Sequence, residues 1–211
     1  MKKLRITYNA PVVLTFALIA VIVQFLPDAV RGEWFVSYPS FKYGTRAYVG
    51  LVTHIFGHAS WEHLLANFML ILLIGPILEE RHGSLSLLFM ILITACVEGL
   101  ADTLVSEPTL GASGVAFMMI ILASTANIRA GDIPLTFIAV ATVYLGREIV
   151  AMISAHDNVS HFTHVVGGMA GAAFGFFGAA APRKEKATKP VVSSTQKSLG
   201  TAATSGPPRT R

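Results

Sequence analysis

Apolar residues in this chain come in blocks about as long as a membrane span, with the charges held at the block ends. Few features constrain a fold more. Inside hydrocarbon each backbone N–H and C=O must find its partner within the protein, so such blocks have to be helices. Composition agrees: 53% of the 211 residues are apolar and 13% charged, with a mean hydropathy of +0.61. Soluble domains are not built that way. The spacing predicts helices over 11–26, 63–78, 85–104, 113–127, 133–153 and 162–181. The expected fold class is therefore all-α, a polytopic membrane protein with six transmembrane helices. The fourth helix is short for a hydrocarbon layer of about 30 Å, so its ends must sink below the surface or the bilayer must thin around it.

Lys2, Lys3 and Arg5 precede the first block, an arrangement shared with signal peptides. No small-x-small cleavage site follows, and Pro27-Asp28-Ala29-Val30-Arg31 is a poor substitute, so the block reads as a spanning helix. The organisation expected is a cytoplasmic N-terminus over 1–9, a six-helix membrane domain over 10–181, and a disordered basic cytoplasmic tail over 182–211. Within the domain, the long first external loop, 27–62, carries Trp34, Phe35, Tyr38, Phe41, Tyr43 and Tyr48. Such rings suit the headgroup layer, where an amphipathic side chain has one wet edge. Six spans put both termini on one side, together with Lys2, Lys3, Arg5, Arg81, Arg129, Arg183, Lys184, Lys186 and Lys189. By the positive-inside rule that side is the cytoplasm; the location expected is the plasma (inner) membrane. The net charge of +4 comes largely from the termini and is explained by that rule, which leaves no reason to invoke nucleic acid. The single cysteine, Cys96, excludes an intrachain disulfide and a thiol-built metal site.

Helix parity then aligns three polar clusters. Helices two, four and six all run from outside to inside. His63 begins helix two with Asn67 four residues on, hence on one face. Ser113, within Gly111-Ala112-Ser113-Gly114, opens helix four, and His164 lies in the first turn of helix six. All three clusters fall at one depth, near the outer surface. Polar groups in membrane helices are costly and face the bundle interior or a water-filled cavity. Gly167, Gly171 and Gly175 form a ladder of small residues that admits a neighbouring backbone, and Ala112 and Gly114 do the same beside the serine. Close approach of helices four and six would bring His164 within hydrogen-bond reach of Ser113. Glu79-Glu80-Arg81-His82-Gly83 reads as the end of helix two, and Glu98, Asp102 and Glu107 as an acidic exit and loop after helix three.

A serine hydroxyl needs a base to become a nucleophile, and a histidine near neutrality serves. Ser113 is the candidate nucleophile and His164 the candidate base. The free N–H groups at the start of helix four, with Asn67 and His63, are candidate oxyanion donors. Asp157 reads as a solvated turn residue, so the expectation is a dyad with no carboxylate to orient His164. The competing reading of Ser113 alone is a helix N-cap. His54, His58 and His63 could be metal ligands, but no carboxylate or thiol is nearby, and His54 and His58 read instead as structural hydrogen-bonding or interface residues. No metal and no cofactor is expected.

Together Gly111-x-Ser113-Gly114, His164-x-x-Gly167-x-x-x-Gly171 and His63-x-x-x-Asn67 resemble the rhomboid intramembrane serine proteases. Gly75-x-x-x-Glu79-x-x-x-Gly83 and the histidines His54 and His58 add to the likeness, which covers about residues 10–181. The resemblance implies a rhomboid-like bundle and a Ser113–His164 dyad that cleaves transmembrane protein substrates near their outer ends. It implies an oxyanion hole of His63, Asn67 and the Ser113 amide, structural roles for Gly111, Gly114, Gly167 and Gly171, and a gate near 133–161. Phe117 stands where many bacterial members carry a tyrosine that packs on the catalytic histidine, and the long first loop has no clear Trp-Arg pair. Two rival functions are a non-catalytic relative that binds transmembrane helices and a transporter. A transporter predicts internal repeats or ionisable residues near the midplane, which the chain does not display.

Overall fold

The computed structural model describes residues 7–104, 108–125, 133–154 and 161–178. Expectations for residues 1–6, Glu107, Asn127, Asp157, the loop 155–160 and the tail 182–211 lie outside the described residues. Among the described residues eight α-helices follow one another: α1 (Pro11–Gln24), α2 (Asp28–Trp34), α3 (Thr45–Thr53), α4 (Trp61–His82), α5 (Ser84–Ala101), α6 (Ser113–Ser124), α7 (Leu135–Ser154) and α8 (His161–Gly178). Among the described residues there is no strand, only an isolated antiparallel bridge between Ser37 and Thr109.

Helices α4 and α5 are long and apolar enough to cross a membrane, and only 33% of each apolar window is buried. The core helix of a soluble protein would be mostly enclosed. Here Leu65, Met69, Leu73 and Ile77 on α4, and Leu85, Phe89 and Ile93 on α5, face outward. Exposed apolar surface of that extent is tolerated by lipid and not by water. Shorter apolar stretches run through α1, α6 and the Leu135–Gly146 part of α7.

The fourth block is short in the structure too. Helix α6 spans 12 residues, about 18 Å, and Gly114, Val115, Ala116 and 118–122 are all buried. A helix apolar on every side is a core element. α6 packs against α4, α5, α7 and, most extensively, α8. The glycine face of α8 lies on its backbone. A Cβ at Gly167 would meet the Gly114 carbonyl oxygen at 2.2 Å, and one at Gly171 the Met118 carbonyl oxygen at 2.3 Å.

Helix ends differ from the sequence expectation where a polar side chain turns inward. α4 begins at Trp61, two residues before His63, because the Ser60 hydroxyl caps it by accepting from the His63 N–H at 3.2 Å. It runs on through Glu79-Glu80-Arg81-His82 to Gly83, whose φ of +84° ends it. Glu79 is 3% exposed and accepts from the Val12 and Val13 N–H groups, both at 3.0 Å. It caps the start of α1 from another helix, accepting from first-turn donors for which Ala10, at the cap position, has no side-chain acceptor. Glu98 and Asp102, expected at an acidic exit, are likewise wholly buried.

The long first loop is structured by α2, α3 and a 3₁₀ turn, Phe41–Tyr43. Its rings pair on the surface, Tyr38 on Tyr43 and Phe41 on Tyr48, with centroids 4.7 and 5.0 Å apart.

The seam between α6 and α8 predicts contrasting effects of one methyl group. Gly171→Ala meets Met118 backbone, which cannot swing aside, and should destabilise by about 1–3 kcal/mol through overpacking. Gly146→Ala meets nothing within 4 Å and should be neutral or stabilising by up to about 1 kcal/mol. Thermal unfolding of the purified variants in detergent checks both; equal midpoints would refute the seam.

Candidate active site

The segment leading into Ser113 is held by its backbone. Gly111 has φ +130°, a conformation that L side chains rarely adopt. Its N–H donates to the His54 carbonyl at 3.0 Å, and the Ala112 N–H donates to His58 Nε2 at 3.3 Å. Ser113 is the first residue of α6, and Ala112 before it provides no side-chain cap. The first-turn N–H groups have no partner within the helix itself. Sequence reading had Ser113 as either nucleophile or N-cap; the N-cap position belongs to Ala112.

α4 supplies the wall opposite. A Cβ at Gly111 would lie 2.8 Å from His63 Cε1, 3.0 Å from His63 Nε2 and 3.7 Å from Asn67 Nδ2. The i, i+4 pair therefore flanks the residue two before Ser113. Asn67 is 7% exposed, and its Nδ2 has no hydrogen-bond partner among the described residues. A buried amide donor without an acceptor is uncommon and asks for a reason.

α8 brings the third cluster. Gly167 sits on the Gly114 carbonyl, and His164 lies one helical turn earlier. Its ring stacks on Phe117, centroids 4.6 Å apart and planes 8° from parallel. Phe117 is four residues after Ser113 and shares its face of α6. His164, 9% exposed, is thus laid on the face that carries Ser113, and Phe117 provides the ring platform that the sequence suggested for it.

His58 is the best-defined of the remaining histidines. Its Nδ1 donates to the Phe56 carbonyl at 3.3 Å, and its Nε2 accepts from Ala112, so the ring is a neutral Nδ1–H tautomer. It packs edge-to-face on His63 at 5.1 Å. Burial, then the charge of His63, lowers its pKa from 6.5 to about 4. With both nitrogens engaged, His58 has no lone pair to offer a metal. Among the described residues no three His, Cys, Asp or Glu side chains converge as a metal-ligand set.

Sequence reasoning missed the carboxylates behind the serine. Glu98 occupies the notch between two glycines: a Cβ at Gly114 would be 2.0 Å, and one at Gly167 2.7 Å, from its Oε1. His54 Nε2 faces its Oε2 at 3.7 Å, while His54 Nδ1 donates to the Gly50 carbonyl at 2.9 Å. Asp102, one turn on, accepts from Ser37, Thr109 and Thr163. The available signal was their spacing of four residues in an apolar helix, which puts both on one face.

An all-helical, largely apolar fold, with Ser113 opening an enclosed helix and His164 stacked on Phe117 one turn further along it, defines a helical membrane protein with a buried polar centre. The rhomboid domain family matches residues 45–181, more than half of the chain. The chain belongs to the rhomboid family. It is also similar to rhomboid-like protein 11, chloroplastic, of Arabidopsis thaliana, 34% identical over 74 residues. That stretch covers 34% of this chain and 26% of the relative, so the likeness spans about a quarter of that protein's length. Members of the family act on transmembrane protein substrates within the membrane.

His58 carries a pH dependence of stability. The folded state holds it neutral down to about 4, whereas the unfolded chain takes up the proton below its ordinary value near 6.5. The unfolded state then binds more protons, so the contribution is fully present above pH 6.5 and lost as pH falls towards 4. Its size is up to about 3 kcal/mol. The unfolding midpoint should fall across that window, and less steeply in His58→Gln, which keeps an acceptor but does not titrate. An identical slope in the variant would remove His58 as the cause.

Proposed function

We propose that this chain is an intramembrane serine endopeptidase that cleaves peptide bonds in or near transmembrane segments of membrane proteins. Ser113 is the nucleophile, His164 the base, and the Ser113 amide with Asn67 and His63 the oxyanion donors. The observation that carries the reading is the stacking of His164 on Phe117, four residues after Ser113, together with an Asn67 amide beside Gly111 that has no hydrogen-bond partner among the described residues. In this reading the base comes to Ser113 from α8 and the oxyanion donors from α4.

The chemistry follows from those positions. His164 takes the Ser113 hydroxyl proton as Oγ attacks the substrate carbonyl carbon. The oxygen that gains the negative charge is met by donors already in place, which is where most of the acceleration in acyl transfer arises. Collapse breaks the C–N bond, and the imidazolium gives its proton to the leaving amine. Water, deprotonated by the same ring, then releases the acyl group and restores Ser113. No bound metal or cofactor enters any step.

In this reading six helices span the bilayer, α1 and α4 to α8. Both termini are cytoplasmic, the membrane is the plasma (inner) membrane, and the site opens to the outer face. Residues 133–161 control entry of the substrate helix.

Purified protein reconstituted with a single-pass substrate should cleave it. Ser113→Ala and His164→Ala should each abolish cleavage, a loss of order 10⁴-fold or more, in proteins that remain folded. Asn67→Ala should lose of order 10²–10³-fold. A fluorophosphonate should label Ser113 in the wild type. Cleavage at wild-type rates by both dyad variants would overturn the assignment, and an inert, unlabelled wild type would favour a non-catalytic protein that binds transmembrane helices.

A further inference from the structure

Asp102 follows the last residue of α5 and is wholly buried. Three hydroxyls from three separate parts of the chain donate to it. Oδ2 accepts from Ser37 in the first loop and from Thr109 in the segment before α6. Oδ1 accepts from Thr163 in α8 at 3.0 Å. A carboxylate enclosed in an apolar bundle is destabilising unless its lone pairs are met, and here they are met by side chains that flank the two reacting groups. Thr109 lies four residues before Ser113, and Thr163 immediately precedes His164.

The nucleophile side of this junction is itself rigid. Ser37 and Thr109 exchange both backbone hydrogen bonds, at 2.8 and 3.3 Å, and their hydroxyls lie 2.8 Å apart. Downstream, Gly111 and Ala112 are bonded to His54 and His58. The base side is different in kind. α8 meets α6 through glycine contacts, which set a distance but have no direction, so by themselves they resist neither a small rotation nor a slide of α8. The Thr163–Asp102 bond is directional and acts at the turn that bears His164.

We propose that Asp102 is a positioning residue for the Ser113–His164 pair, joining the segment that delivers the nucleophile to the helical turn that delivers the base. This rests on the protease reading above. It touches neither substrate nor reacting atoms; it acts through Thr109 and Thr163. A misplacement of about 1 Å between reacting groups can lower a rate by about 10²-fold, and the loss falls on the chemical step while leaving substrate binding alone.

The test uses the full-length protein in liposomes with a single-pass substrate. Asp102→Ala risks misfolding, so the deciding pair is Thr163→Val, which keeps the shape and removes the hydroxyl, and Thr163→Ser, which keeps the hydroxyl. Thr163→Val should lower kcat by about 10–100-fold with KM within about twofold, and Thr163→Ser should stay within about threefold of wild type. Amide hydrogen exchange should quicken in Thr163→Val over both 108–114 and 161–167. Wild-type kcat in Thr163→Val overturns the proposal, as does an equal loss in Val and Ser variants, which would mean packing alone. If the wild type and Ser113→Ala are equally inert, the protease reading fails and the catalytic role of Asp102 with it. The exchange data still decide the junction in that case: faster exchange in both segments supports it, and unchanged exchange overturns it.

Discussion

Backbone-to-backbone contact between α6 and α8 is the constraint on which the rest of this structure depends. Lipid tails are as apolar as leucine, so helices in a bilayer gain little by hiding apolar side chains from each other, and close packing has to hold them together. Gly167 and Gly171 let α8 settle on the carbonyls of Gly114 and Met118. That contact helps to enclose α6 among its protein neighbours. It also places His164 and Ser113 on neighbouring turns of neighbouring helices.

Among the described residues the interior of the bundle holds the carboxyl groups of Glu79, Glu98 and Asp102, each beside a different structural need. Glu79 meets the N–H groups that α1 leaves open at its start, where a negative charge also suits the helix dipole. Asp102 gathers three hydroxyls at the head of the site. Glu98 fills the space that two missing side chains leave at Gly114 and Gly167, with His54 facing it. Buried polar groups of this kind favour one arrangement of the helices over near alternatives, since rotating a helix would strand them. The first loop takes part too, because Ser37, His54 and His58 all reach the polypeptide around the serine.

Much of the fold was legible in the sequence, and for a local reason. Span-length apolar blocks compel helices, which is why the all-helical class and the order of the main helices could be read. The four-residue spacing of His63 and Asn67 places them on one face whatever surrounds them, and Gly167 and Gly171 offer a contact surface in the same way. The family was legible because its motifs are short and occur in a fixed order. The helix ends were harder to read. Glu79 resembles a charge marking the end of a span, and Glu98 and Asp102 resemble an acidic exit, because the same residue types mark both a surface and a buried junction.

The sequence by itself determined that this chain is a bundle of apolar helices with a serine, two histidines and an asparagine able to share one level. Those are consequences of length, period and order along the chain. Only the tertiary structure decided which way each polar side chain points. That depends on the rotation of each helix about its axis, which is set by contacts between distant segments and has no local signal. It turned Glu79 towards α1, drew Asp102 to Thr109 and Thr163, and laid His164 on Phe117. It also turned Gly111-Ala112-Ser113-Gly114 from a glycine-flanked serine into the held entrance of a helix enclosed by protein.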